Sequence, residues 1–260
     1  MRLVHLSGIL TLMIVSTMAQ AEELSVCQDE DGFPPFIIIK PSAEHGAVPV
    51  VSGSSVEMIH AISQKTGIPI HLVLRPWKRC LYEVENGELD MVADAYMTPE
   101  RDKLFQISHP YYRLTLAFFY SRSKFPNGLP PVHSLQFEKL KGCGLQGFSY
   151  IPYGIPESHH LDLGAGHKQT MLKLKAGRCD YFPEALEVMG SFDDPSMNYL
   201  HDDELGFQKV DSETVPSIHL LLSRRSPRTK DILPRLNQAI DELVASHMIS
   251  KAVNSYLMKK

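Results

Sequence analysis

Several things are scarce in this sequence, and each scarcity excludes something. There is no excess of basic charge, with 26 Lys and Arg against 30 Asp and Glu, and no run of Lys or Arg occurs. A nucleic-acid binder needs clustered cations to neutralise phosphates, so no nucleic-acid partner is expected. There is no repeat of solenoid period and no low-complexity tract, which argues against repeat arrays and disordered tails. There is no CxxC spacing among the four cysteines, so a zinc ribbon or a thioredoxin-like motif has little support. After the first twenty or so residues, no stretch is apolar enough to span a bilayer. What remains is an ordinary globular balance over 260 residues, 43% hydrophobic and 22% charged. That length suits roughly one or two domains with a sizeable core.

The first segment stands apart. Residues 1–21 carry one charge, Arg2, then an apolar stretch from about Ile9 to Val15, then Ala19-Gln20-Ala21. A positive start, a short apolar core and a small-x-small site form the pattern of a cleaved secretory signal peptide. The apolar core is too short for an anchor, which needs about 20 apolar residues. Glu22–Lys260 is therefore expected as an exported, soluble chain. All four cysteines, Cys27, Cys80, Cys143 and Cys179, lie in that part. An even number in an oxidising compartment permits two disulfides, with three possible connectivities.

Along the chain, apolar runs and helix signals alternate. Leu24–Val26 reads as a short strand. Phe33-Pro34-Pro35-Phe36 reads as a rigid loop, because two prolines cannot join a central ladder. Ser54-Ser55-Val56-Glu57 has capping-box spacing before a helix carrying Val56, Ile59 and Ile62, which stops at Gly67. Ile68–Leu74 is a strand, Trp77–Glu85 a helix closed by Gly87, and Leu89–Ala93 a strand. Thr98-Pro99-Glu100-Arg101 has the cap, proline and acid of a helix start. This alternation predicts an α/β block with a largely parallel sheet.

A second α/β run follows the break at 126–131. It has a short strand at Cys143–Gln146, a turn into a helix after Gly147, and a helix over Gln169–Lys175. A strand at Cys179–Phe182 follows, then a helix opened by Pro183. Ile232, Leu236, Ile240 and Val244 place one apolar face on a C-terminal helix that His247 interrupts. The extended strands near Leu114–Ser121 and Val215–Leu222 are candidates for the crossings between the two blocks.

Four segments in order resemble the bacterial solute-binding proteins of family 3, the periplasmic polar-amino-acid-binding proteins of ABC transporters. They are Phe33-Pro34-Pro35-Phe36; Trp77 through Gly87-Glu88-Leu89-Asp90; Thr98-Pro99-Glu100-Arg101 with Ser108-His109-Pro110-Tyr111-Tyr112; and Leu172 through Gly177-Arg178-Cys179-Asp180. The resemblance spans about 230 residues. It implies a type II flytrap, with two α/β lobes joined by two hinge strands and closing over a ligand. Lobe one would be residues 22–119 plus 222–260, and lobe two residues 120–221. This division puts Cys27 and Cys80 in one lobe and Cys143 and Cys179 in the other, and the expected disulfides follow it.

The resemblance also names binding residues. Arg101 would clamp a ligand carboxylate, since a planar guanidinium matches its two oxygens. The alternative is a surface Arg paired with Glu100 or Asp102. Phe33 would cover the ligand's apolar face, and Trp77 would line the cleft or anchor its helix. Asp94 and Tyr96 depart from the small or hydroxyl residues usual at those places. Asp94 would meet a cationic group, or else pair with Arg75, Lys78 or Arg79, while Tyr96 would narrow the pocket. Ser149 would help hold the carboxylate at a helix N-terminus, and Phe148 departs from the usual Thr or Ser. Glu184 stands one residue before the place of the family's amine-binding acid; otherwise it is a helix-start acid. His159, His160 and His167 lack a matching ligand pattern, so no metal and no cofactor are expected.

The implied function is capture of a small polar carboxylate-bearing ligand, an amino acid or derivative, by a periplasmic monomer feeding an ABC permease, without catalysis. The alternatives are a dehydratase-like exported enzyme on the same scaffold and a ligand-sensing partner of a membrane receptor.

Overall fold

The computed structural model describes residues 23–40, 42, 48–130, 139–192, 199–210 and 216–257. The proposed leader and its cleavage site lie outside them. Among the described residues, no helix is long and apolar enough to cross a membrane.

The first sheet has six strands. β1 (Leu24–Asp29) lies between two parallel neighbours, β4 (Ile70–Arg75) and β5 (Met91–Tyr96). β5 then pairs antiparallel with β13 (Ser217–Ser223), which also carries β6 (Phe105–Ile107) and β7 (Tyr112–Arg113). β1 and β5 are buried almost throughout, as strands covered on both faces must be. Helix α1 (Ser54–Thr66) turns its buried Met58, Ile59 and Ile62 toward this core. α2 (Trp77–Asn86) packs on the strands, and α3 (Pro99–Leu104) is one short turn before β6. A hairpin of β2 (Ile38–Lys40) and β3 (Val50–Ser52) leads into α1.

The second region is built on β8 (Leu116–Ser121), which pairs antiparallel with β11 (Phe182–Ala185) and β12 (Leu205–Lys209). Beside it, β9 (Gly142–Leu145) pairs parallel with β10 (Leu161–Gly164), and α4 (His167–Lys175) packs against them. A short helix, α5 (Leu186–Met189), follows β11. β8 lies wholly in this second sheet and β13 wholly in the first. The chain changes sheet just before β8 and again between Lys209 and Ser217. The two crossings touch where the Leu114 amide donates to the Pro216 carbonyl (3.0 Å).

Cys27 bonds Cys80 and Cys143 bonds Cys179, with Cα–Cα separations of 5.5 and 5.7 Å. The first disulfide ties β1 to α2. The second ties β9 to the turn before β11.

Four local expectations fail, each for a physical reason. The capping box at Ser54 does not form. Helix α1 is capped by Gly53 with no side-chain bond, because the Ser54 hydroxyl donates to the Pro35 carbonyl instead. Pro183 and Glu184 lie in strand β11, not in a helix; β11 is a sheet edge, where a proline without an N–H is tolerated. The turn after Gly147 yields only a short 3-10 turn at Ile151–Tyr153. In α6 (Thr229–Ala245), Ile232, Leu236 and Ile240 are buried but Val244 is 42% exposed, and Leu243 takes its place. Strict four-residue spacing drifts by about 40° per step on a 3.6-residue helix, so the third step leaves the buried face. The break at His247 is real: its φ is 58°, and α7 (Met248–Leu257) begins after it.

Candidate functional site

The parallel strands β1 and β5 end on the same side, and a largely apolar pocket with a few charged groups forms beyond those ends. Clefts at the carboxyl ends of parallel strands are the usual binding place in open α/β sheets. The pocket is lined by Gln28 and Asp29 from β1, Phe33 from the proline loop and Trp77 from the start of α2. Asp94 and Tyr96 come from the end of β5, and Arg101 from α3. Phe148 and Ser149, from the turn after β9, close it from the second region. Six of the seven sequence-selected residues therefore meet in one cavity: Phe33, Trp77, Asp94, Tyr96, Arg101 and Ser149.

Glu184 does not join them. It is buried, and its Oε2 sits 2.8 Å from His167 Nε2 while its Oε1 accepts the Ala185 amide. His167 packs edge-on against Phe148 (6.3 Å between centroids), so the Glu184–His167 pair backs the wall that Phe148 presents. Of the other histidines, His159 bonds Tyr181 (3.0 Å). No group of three or more His, Cys, Asp or Glu among the described residues is placed to hold a metal.

Arg101 is held by its helix start. The Thr98 hydroxyl accepts the Arg101 amide (3.2 Å), with Pro99 in the first turn. Its guanidinium is buried and donates to two backbone carbonyls, Tyr96 (2.8 Å) and Gly147 (3.3 Å). Its carbon lies 5.9 Å from the centroid of the Trp77 ring. No carboxylate among the described residues pairs with it, so neither Glu100 nor Asp102 neutralises it. Desolvation lowers its pKa to about 10, with the neighbouring Tyr96 opposing that fall only in part, because burial penalises the cation.

Asp94 is also buried, but three side chains donate to it. Its Oδ1 accepts from the hydroxyls of Ser55 (2.6 Å) and Tyr111 (2.7 Å), and its Oδ2 accepts from Gln28 Nε2 (2.7 Å). The Tyr111 oxygen in turn accepts the Asp94 amide. Burial pushes the carboxyl above its ordinary range, and these three donors oppose that rise. The backbone at Asp94 is left-handed, φ 59°, a region that costs a non-glycine residue about 1 kcal/mol. The ring of bonds holds it there. Arg75, Lys78 and Arg79 do not pair with Asp94; Arg75 and Arg79 reach Glu83 instead.

The walls are aromatic. Phe148 meets Phe33 (6.0 Å) and Trp77 (6.2 Å). Trp77 both lines the pocket and fixes it, since its Nε1 donates to the Gly147 carbonyl (3.0 Å). Gly147 has φ 78°, and a Cβ there would lie 3.0 Å from Trp77 Cδ1, so both the backbone and this approach favour glycine. Tyr96 narrows the floor, its hydroxyl 3.5 Å from that of Tyr153. Ser149 Oγ is buried with no hydrogen-bond partner among the described residues.

Sequence reasoning missed Gln28 and Asp29 as lining residues, although both follow the predicted first strand directly. Burial raises the Asp29 carboxyl to about 6, against the Asp31 amide and the nearby His167.

A pocket walled by residues from two α/β regions, with a buried guanidinium that no carboxylate among the described residues pairs, suits a small-molecule binding protein. The sequence matches bacterial extracellular solute-binding proteins, family 3, over residues 24–259; the chain belongs to that family. No curated protein matches the sequence. Solved structures match the fold at low identity. One is the amino acid ABC transporter substrate-binding protein AbpA of Streptococcus pneumoniae bound to L-arginine. It has TM-score 0.70 and 19% identity, over 90% of this chain and 94% of that one. An ancestral arginine-binding protein bound to glutamine gives TM-score 0.67 and 17% identity, over 92% and 98%. A histidine kinase sensor domain similar to periplasmic binding proteins gives TM-score 0.67 and 16% identity, over 91% and 96%.

Proposed function

We propose that this protein captures an amino acid or a close derivative in the pocket at Arg101 and delivers it to an ABC importer in the inner membrane. The observation that carries this reading is the guanidinium itself. A buried cation without a carboxylate partner is costly, and a ligand carboxylate would neutralise it in two-pronged geometry. Ser149, with an unpartnered hydroxyl, would donate to the same carboxylate. Phe33, Trp77 and Phe148 would enclose the apolar part of the ligand, and Asp29 would supply the negative end that an ammonium prefers, while Asp94 is held by the fold. Glu184 supports the wall through His167 and does not touch the ligand.

The protein works as a binder without turnover, in the periplasm, as a monomer whose leader has been removed. Its two lobes divide where the chain changes sheet, with the first and last segments in one lobe and residues from β8 to β12 in the other. The amino-acid ABC transporter proteins among its structural neighbours support the ligand class and the importer. A second reading, a soluble sensor acting on a membrane receptor, is favoured by the likeness to a histidine kinase sensor domain.

A thermal-shift screen over amino acids, dipeptides, polyamines and small carboxylates tests the reading. A ligand at a hundred times its Kd adds about 2.7 kcal/mol to stability. An amino-carboxylate is expected to raise Tm, and Arg101→Ala to abolish the rise. A panel in which only ligands without a carboxylate act would overturn it. Turnover of a bound substrate would favour an enzyme, and capture of a receptor kinase in place of a permease would favour the sensor.

A further inference from the structure

A second and larger cavity adjoins the pocket, with a volume of about 530 Å³ against about 20 Å³. Arg101, Phe148 and Ser149 line both. The guanidinium therefore stands at the junction, and a carboxylate bound to it has one cavity on each side. The first is small, aromatic and shut by the Trp77–Gly147 contact, with room in this structure for little more than one water-sized group. The second runs between α3 and the segment from Gly147 to Leu163, and opens to solvent. Its walls alternate in character. Ile151, Ile155 and Leu161 are apolar, while Glu100 and Ser149 supply acceptors. Both Glu100 Oε2 and Ser149 Oγ are buried without a hydrogen-bond partner among the described residues. The Glu100 oxygen calls for a donor from what fills the cavity, and the Ser149 hydroxyl can accept there while it donates to the carboxylate at Arg101.

We infer that the ligand is an amino acid extended through an amide bond, such as a short peptide or an acylated amino acid with a free carboxylate. Its extension lies in this second cavity. The inference rests on the Arg101 reading of the first pocket and adds ligand length and chemistry to it. An amide chain supplies N–H donors to Glu100 and Ser149, and its side groups cover the apolar wall.

Calorimetric titration with L-alanine, di-L-alanine and tri-L-alanine tests it on the mature chain, with the wild type beside Leu163→Trp and Glu100→Ala. Leu163 lines the second cavity and is 48% exposed, so a larger side chain there fills space without entering the core. Wild type should bind the longer peptides at least tenfold more tightly than alanine. Leu163→Trp should bring that ratio to within twofold of one, and Glu100→Ala should cut it by several-fold. A ratio near one in wild type, or a gain that survives both variants, would overturn the inference while leaving the carboxylate clamp standing. If no carboxylate ligand of any length binds, the reading of the first pocket fails and this inference falls with it.

Discussion

The two ends of the pocket hold one buried charge each, and the protein treats them differently. At the Asp94 end, Ser55, Tyr111 and Gln28 donate to the carboxylate, and the left-handed backbone is fixed by the same bonds. At the Arg101 end, the guanidinium meets two backbone carbonyls and the Trp77 ring but no carboxylate among the described residues. A charge answered from within the fold serves the architecture. A charge left unanswered is a place for a ligand. Composition does not separate the two, since both residues are charged, buried and only seven positions apart. Their partners do.

The sharpest way to break the comparison is to remove each charge in turn. Arg101→Ala should weaken binding of a carboxylate ligand by at least a hundredfold in titration, because it removes a desolvated ion pair. Without ligand, Arg101→Met should raise Tm by a few degrees, since it deletes an uncompensated buried cation. A drop in Tm would show that Arg101 holds the fold together after all. Asp94→Ala should do the reverse and lower the stability of the ligand-free protein by about 2–4 kcal/mol in urea unfolding. It would strand three buried donors and leave a strained backbone without its anchor. Asp94→Ala with native stability would make Asp94 a pure ligand contact and end the contrast.

Asp29 offers a pH test of the same pocket. Its folded pKa, about 6, is above the ordinary 3.8, so between those values the folded state binds more protons than the unfolded one. Stability should therefore fall as pH rises from about 4 to 6, by at most about 3 kcal/mol, then level off. Asp29→Asn should flatten that slope. A slope that survives the substitution would assign it elsewhere. The smallest expected effect is at the closure contact. Gly147→Ala, which crowds Trp77, should weaken ligand binding several-fold and shift the emission of Trp77, the only tryptophan. Unchanged emission would show that the two walls do not depend on this contact.

Much of the site was legible because short motifs fix both helix start and side-chain position. Thr98 and Pro99 set the first turn that places Arg101, and the proline loop places Phe33. Cysteine pairing followed from which pairs share a region. Glu184 was misplaced for a physical reason. An acid after a proline reads as a helix start, but the edge of a three-stranded sheet accepted both residues. The network around Asp94 was invisible for another reason. Ser55, Tyr111 and Gln28 lie 39, 17 and 66 residues away in sequence, and no local pattern announces such a meeting. The capping box at Ser54 shows the same limit, because a distant carbonyl competed for the hydroxyl that local spacing had assigned to the helix.

The central claim is that Arg101 waits for a carboxylate. The most direct test is a matched pair on the wild-type protein: the best amino-acid ligand from the screen and its carboxamide, which keeps the shape and loses the charge. The account predicts saturable binding of the acid and at least a hundredfold weaker binding of the amide. Equal affinity for the two would contradict it.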